Sequence, residues 1–143
     1  MARMIFVNLP VADLTRAIAF YEAIGARKEL RFSDDTGACM VISETITVML
    51  LTHAKFGGFT PRPIADARKA TEVLLCLSAE SKVAVDEMVG AAAAAGGGAD
   101  PAPKQDYGFM YGRAFEDPDG HIWEVMWMDL AAFDAWRAQQ SAA

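Results

Sequence analysis

The sequence contains the same order of predicted elements twice, and this internal repeat constrains the fold more than any other feature. In the first copy, the strand RMIFVNL precedes the helix ADLTRAIAFYEAIG and three short strands. In the second copy, about 70 residues later, TEVLLCLS precedes SKVAVDEMVGAAAAAGGG and again three strands. Two copies of strand, helix and three strands predict an α+β protein of two βαβββ modules.

The repeat also predicts how the chain is divided. We expect a first βαβββ module in residues 1–53, an irregular crossing in 54–70, a second module in 71–128 and a C-terminal helix in 129–143, all within one fold unit. Two prolines and two glycines in the crossing argue against a continuous helix or strand there.

Composition and charge narrow the class of protein. A net charge of -6 and a pI near 4.8, without a block of Lys or Arg, argue against binding to nucleic acid or to a membrane surface. No apolar run reaches the roughly 20 residues that cross a bilayer, and the first residues do not resemble a signal peptide, so we expect a cytoplasmic protein. Cys39 and Cys76 each stand alone in an apolar stretch and are predicted to be reduced core residues.

Alternation along the strands predicts a groove. In the last strand, HIWEVMWM, one face carries Trp123 and Val125 and the other carries Glu124 and Met126. A mixed sheet with helices on its outer face and a second apolar face is expected to curl into a half-barrel, which offers a pocket for a small organic molecule. A groove filled by its own side chains fits the sequence equally well.

Glu124 is the candidate catalytic residue, because a carboxylate in an apolar strand needs a partner, a metal, water or a bound molecule. The preceding DPDG turn predicts a bulged hairpin with Gly120 in the left-handed region, which places Ala114 opposite Glu124 and leaves open space above the acid. A tighter turn would place Arg113 there and form a salt bridge. In the bulged form, Glu124 could act as a hydrogen-bonding group or a general base.

Two motifs within the repeat resemble those of the vicinal oxygen chelate superfamily, which includes glyoxalase I, the bleomycin-resistance proteins and the extradiol dioxygenases. The first motif, V-x-D-L-x-x-A-x-x-F-Y-x-x-x-G, matches residues 11–25, and the second, E-D-P-D-G-x-x-x-E, matches residues 116–124. Within the superfamily, the chain is similar to the predicted lactoylglutathione lyase group. The resemblance implies a homodimer and, if the protein is an enzyme, a lyase or a dioxygenase.

Metalloenzymes of that superfamily hold one divalent ion with four side chains. The resemblance places the corresponding positions at Phe6, Leu50, Leu74 and Glu124. Phenylalanine and leucine have no donor atom, so we expect a protein that binds a small molecule without a metal cofactor. One alternative is a weak oxygen site in which Asn8 and Glu72 join Glu124. The other is a metal-dependent lyase or dioxygenase with one divalent ion such as zinc or nickel.

The remaining candidates are expected to surround the groove. The predicted ligand-binding residues are Phe6, Asn8, Leu50, His53, Glu72, Leu74, Tyr107, Phe109, Tyr111, Arg113 and Met126. His53 ends a strand at the groove mouth, although a loop histidine without function explains it as well. The aromatic residues of this set could instead be core residues. His121 follows the DPDG turn and is expected to be solvated.

Overall fold

The computed structural model describes residues 2–142, which form two strand-rich halves and a C-terminal helix. The strands are β1 (Ile5–Val11), β2 (Arg27–Glu29), β3 (Gly37–Val41), β4 (Ile46–Thr52), β5 (Leu74–Ser78), β6 (Gly98–Ala99), β7 (Gln105–Asp106), β8 (Met110–Glu116) and β9 (Ile122–Met128). The helices are α1 (Leu14–Ala23), α2 (His53–Gly57), α3 (Lys82–Ala94) and α4 (Leu130–Ala142), with a 3-10 turn at Leu30–Phe32. The predicted α+β class with repeated βαβββ order is confirmed.

The strands form two mixed sheets, one in each half. The first has the order β1-β4-β3-β2, and the second has the order β5-β9-β8-β6 with β7 also paired to β8. The outer pairs β1–β4 and β5–β9 are parallel, while the hairpin pairs are antiparallel. Within residues 2–142 no strand pairing joins the two sheets, so they do not close a barrel.

Local sequence accounts for the helix boundaries. The Asp13 carboxylate caps α1 by accepting a hydrogen bond from the Arg16 amide at 3.0 Å, and Gly25, with φ of 108°, ends it. The crossing is not irregular throughout as predicted, because the Thr52 hydroxyl accepts from the Lys55 amide and starts the short helix α2. No helix in the described part of the chain is long and apolar enough to cross a membrane.

One hydrophobic core joins the two halves, and α1 lies at its centre. This helix packs against its own sheet through β3 and β4. Its Phe20 and Tyr21 rings also lie 6.1 Å from Phe115 and 6.2 Å from Trp123, which belong to the second sheet. Since the core takes one face of each sheet, the opposite face of each sheet is left free to form a groove.

Candidate functional site

The hairpin between β8 and β9 has the bulged form that the DPDG turn predicted. The Asp117 amide donates to the His121 carbonyl at 2.9 Å, and Gly120 has φ of 93°. In this register Ala114 faces Glu124.

A cavity of about 200 Å³ lies over Glu124 on the free face of the second sheet. Gly112 and Ala114 from β8, Met126 from β9 and Cys76 from β5 contribute to its lining. Small residues on β8 leave this space open, as the sequence indicated.

Glu124 has no charged partner in the cavity. Among residues 2–142 its carboxylate forms no ion pair. Arg113 borders the cavity, but its guanidinium makes two hydrogen bonds with Asp100, at 2.6 and 3.0 Å, and one with Asp86 at 2.9 Å. The hydrogen bonds from Arg113 lower the pKa of Asp100, so this ion pair persists at neutral pH.

Tyr111 and Arg113 are two of the predicted ligand-binding residues, and Arg113 also borders the Glu124 cavity. Both alternate with the groove residues of β8 and lie on the face that packs against α3. There the Tyr111 hydroxyl donates to Asp86 at 2.7 Å, and Arg113 binds the same carboxylate. These two side chains join β8 to α3.

Cys76 is exposed, so its prediction as a buried core residue is wrong. Cys39 is buried as expected. Cys76 pairs with Glu124 in the parallel ladder and lies on the free face, because Leu75 and Leu77 take the core face of β5. Desolvation and the Glu124 carboxylate both raise the pKa of the Cys76 thiol. A protonated thiol is a poor nucleophile, so Cys76 is a lining group.

In the first sheet, Phe6 and Asn8 lie on the free face of β1, and Phe6 is 55% exposed. Leu50 does not join them. It pairs with Leu9 and is fully buried in the core, which corrects its predicted place in the groove. A shift of one residue along a strand changes the face, so the groove position on β4 belongs to Met49.

The free faces do not fit a divalent-metal site. Phe6, Met49 and Leu74 provide no oxygen or nitrogen donor from their side chains, which leaves Glu124 as an isolated carboxylate. Within residues 2–142 no group of three or more His, Cys, Asp and Glu side chains is arranged to hold a metal ion.

The weaker oxygen site predicted from Asn8, Glu72 and Glu124 is not assembled either. Asn8 and Glu72 border a different cavity, of about 280 Å³, which Glu124 does not line. The Glu72 carboxylate instead lies 2.6 Å from Nδ1 of His121.

His121 is buried, with 3% of its surface exposed, so its prediction as a solvated residue is wrong. Its Nε2 lies 2.8 Å from the Pro10 carbonyl, and its Nδ1 faces Glu72. A carbonyl oxygen and a carboxylate both accept hydrogen bonds, so these two contacts favour the protonated imidazole, in which both ring nitrogens donate. Burial alone would lower the pKa of His121, but Asp117, the Pro10 carbonyl and Glu72 outweigh it and raise the pKa.

A second buried contact was also missed from the sequence. The hydroxyl of the fully buried Tyr21 donates to the Asp117 carboxylate at 2.6 Å and accepts from Nε1 of Trp123 at 3.0 Å. Desolvation by burial, followed by the neighbouring Asp117 charge, raises the pKa of Tyr21 and keeps the hydroxyl neutral. The DPDG turn is therefore a joint between α1 and the second sheet. The sequence shows Asp117 at the start of the DPDG turn and Tyr21 in the first motif, but it does not show that these two side chains meet.

The other candidates do not line the Glu124 cavity. His53 begins α2 and borders a separate cavity of about 330 Å³ that includes Asp119. Leu74 is 54% exposed on the free face of β5. Tyr107 and Phe109 precede β8 and stack with ring centroids 6.1 Å apart.

A family model described as the glyoxalase/bleomycin resistance protein/dioxygenase superfamily matches residues 3–125. The chain belongs to this superfamily, in agreement with its two βαβββ modules. The narrower resemblance to lactoylglutathione lyases stays a prediction.

Solved structures share the fold. A hypothetical protein, SA1046 from S. aureus, is 25% identical with a TM-score of 0.72, and the match covers 88% of this chain and 94% of that one. A glyoxalase/bleomycin resistance protein/dioxygenase family enzyme from Burkholderia phytofirmans PsJN is 20% identical with a TM-score of 0.72, and the match covers 90% of this chain and 100% of that one. The fosfomycin resistance protein FosX from Listeria monocytogenes (tetragonal form) is 18% identical with a TM-score of 0.64, covering 90% and 93%. No curated protein matches the sequence.

Proposed function

We propose that the protein binds a small organic molecule in the groove over Glu124 and does so without a divalent metal. The observation that carries this proposal is the Glu124 carboxylate beside an open cavity of about 200 Å³, with Ala114 opposite and no ion-pair partner in the described chain. A carboxylate beside the Ala114 methyl and the Met110 and Met126 side chains is costly to desolvate unless it gains a partner. A bound molecule with a hydrogen-bond donor supplies that partner.

The lining indicates the chemistry of this molecule. Met110 and Met126 contribute flexible, polarizable side chains that adapt to an apolar body. Glu124 selects an ammonium or hydroxyl group, with preference for the cation because a charge-assisted hydrogen bond is stronger. If the protein is an enzyme, Glu124 is the group that can accept a proton from the bound molecule.

The same donor set argues against metal-assisted chemistry. Glu124 and the Cys76 thiol are the two acidic side chains of this cavity, and within residues 2–142 no third His, Cys, Asp or Glu joins them to complete a zinc or nickel site. We therefore propose binding, with or without proton transfer to Glu124, as the activity of the groove.

We also propose a homodimer and a cytoplasmic location. Large apolar side chains are exposed on the free faces, including Phe6 and Leu74. Exposed apolar side chains of this size are common at interfaces between subunits, and a second copy of the chain would cover them. Sedimentation of the wild type and of Phe6→Glu tests this proposal, with a dimer expected for the first and a monomer for the second.

The ligand proposal is tested with two small compounds, hexylammonium and the neutral 1-hexanol. Amide NMR shifts of Cys76, Gly112 and Met126 report on binding at the cavity. We expect hexylammonium to bind the wild type more tightly than 1-hexanol, and Glu124→Gln to remove this preference.

The matched control for this experiment is Glu87→Gln, which removes an exposed carboxylate on α3. This variant should retain the preference for hexylammonium. Equal affinity of wild type and Glu124→Gln for hexylammonium, or shifts confined to other parts of the protein, would contradict the proposal.

A further inference from the structure

A further cavity, of about 370 Å³, lies on the same face of the second sheet as Glu124, at the far end of β8 and β9. It is lined by Tyr107, Phe109, Met110, Met128, Phe133 and Trp136. Four of these six residues are aromatic, and the other two are methionines. The cavity is therefore suited to an apolar, polarizable group.

Helix α4 completes this cavity by folding back beside the end of β8. The Asp129 carboxylate caps the helix by accepting from the Ala132 amide at 3.0 Å, and the Asp129 amide donates to the Phe109 carbonyl at 2.7 Å. The Phe133 and Trp136 rings then lie 5.4 and 5.1 Å from the Phe109 ring. None of the α4 side chains that the structure describes is fully buried, so these ring contacts are the main anchor of the helix.

The aromatic rings that line this cavity do not fully cover one another. Tyr107 is 60% exposed and Trp136 is 42% exposed, although both line the cavity. Exposed aromatic surface around a concave site favours a flat aromatic guest, which can stack on one ring and meet the edge of another.

This cavity neighbours the one over Glu124 on the same sheet face. Met110 lines both cavities. Met110 pairs with Met128, and Ala114 pairs with Glu124 further along the same two strands. The two pairs share a face because they are separated by an even number of residues, and four residues of strand span about 13 Å.

We infer that the ligand is an elongated molecule with an ammonium or hydroxyl group at Glu124 and a flat aromatic group in the α4 cavity, about 13 Å away. This inference rests on the proposed function and adds the second half of the ligand to it. The aromatic half lies between the groove and the terminal helix, so α4 is a specificity element of the site.

The experiment compares 6-(2-naphthyl)hexylammonium with hexylammonium on four proteins. These are the wild type, Trp136→Ala, Glu124→Gln and the control Phe59→Ala, which removes an exposed aromatic ring remote from α4 in sequence. Circular dichroism and thermal unfolding verify that each variant is folded. Binding is measured by calorimetry, and sedimentation is measured for each protein.

The expected result has two separate parts. The naphthyl compound should bind the wild type and Phe59→Ala at least about tenfold more tightly than hexylammonium, and Trp136→Ala should lose most of this gain, as expected for one lost stacking partner. Glu124→Gln should weaken both compounds.

Three results would overturn the inference. If Trp136→Ala keeps the full naphthyl gain while Glu124→Gln weakens both compounds, the elongated ligand is excluded but the proposed function stands. If Glu124→Gln weakens neither compound, both fail. If Trp136→Ala becomes monomeric and keeps the naphthyl gain, the cavity serves contacts between copies of the chain.

Discussion

Ala114 lies directly opposite Glu124 across β8 and β9, and its methyl group leaves the space above the carboxylate open. This pairing follows from the bulged DPDG turn. A hairpin one residue shorter would place Arg113 opposite the acid and neutralise it. The turn therefore determines whether the groove contains an available carboxylate or a salt bridge.

Filling the groove should reduce binding without harming the fold. Gly112 lies on the same face of β8, and an added Cβ would be 3.7 Å from both the Met110 Cε and the Val125 carbonyl oxygen, which are ordinary contacts. We expect Gly112→Val to raise the free energy of unfolding by up to about 1 kcal/mol, because β-branched residues suit strands better than glycine. The valine methyl groups should weaken hexylammonium binding about tenfold, or about 1.4 kcal/mol. Denaturant unfolding and NMR titration measure the two effects, and unchanged affinity would contradict the position of the site.

The Tyr21 hydroxyl should stabilise the joint between the two halves. Tyr21→Phe removes the donor to Asp117 and the acceptor for Trp123, which leaves two buried polar groups without this partner. We expect the free energy of unfolding to fall by about 1–3 kcal/mol. The control Tyr107→Phe alters an exposed hydroxyl and should stay within about 0.5 kcal/mol of the wild type. Similar urea midpoints for the two variants would refute this role of Tyr21.

The contact between the buried His121 and the partly exposed Glu72 carboxylate should make stability depend on pH. Because the pKa of His121 is raised in the folded protein, folding strengthens proton binding at this site. The resulting stability is fully present below the unfolded pKa of about 6.5 and is lost as pH rises through the higher folded pKa. We expect the difference in unfolding free energy between wild type and His121→Gln to be larger at pH 6 than at pH 9. A difference that stays constant or grows with pH would show that the imidazole is neutral in the folded protein.

Much of the fold follows from patterns that operate over a few residues. Helical spacing and the Asp13 cap predict α1, and alternation predicts which side of β9 carries Glu124. The DPDG turn predicts the hairpin register, because its backbone geometry admits one favourable pairing. These features depend on neighbours in sequence, so they could be recognised before the fold was known.

The incorrect predictions depend on contacts between distant parts of the chain. His121 is buried because Pro10 and Glu72, which lie 111 and 49 residues away, provide acceptors for both ring nitrogens. Leu50 was assigned to the groove because a motif comparison cannot locate a strand position to better than one residue, and one residue changes the face. The aromatic cavity under α4 likewise depends on where that helix folds back.

Metal loading tests the central claim most directly. The purified protein is incubated with one equivalent of zinc or nickel, desalted, and analysed for metal by mass spectrometry. The account predicts far less than one ion per chain, with no difference between the wild type, Glu124→Gln and the control Glu87→Gln. One tightly bound ion per chain in the wild type and in Glu87→Gln, lost in Glu124→Gln, would contradict the claim that the groove works without a divalent metal.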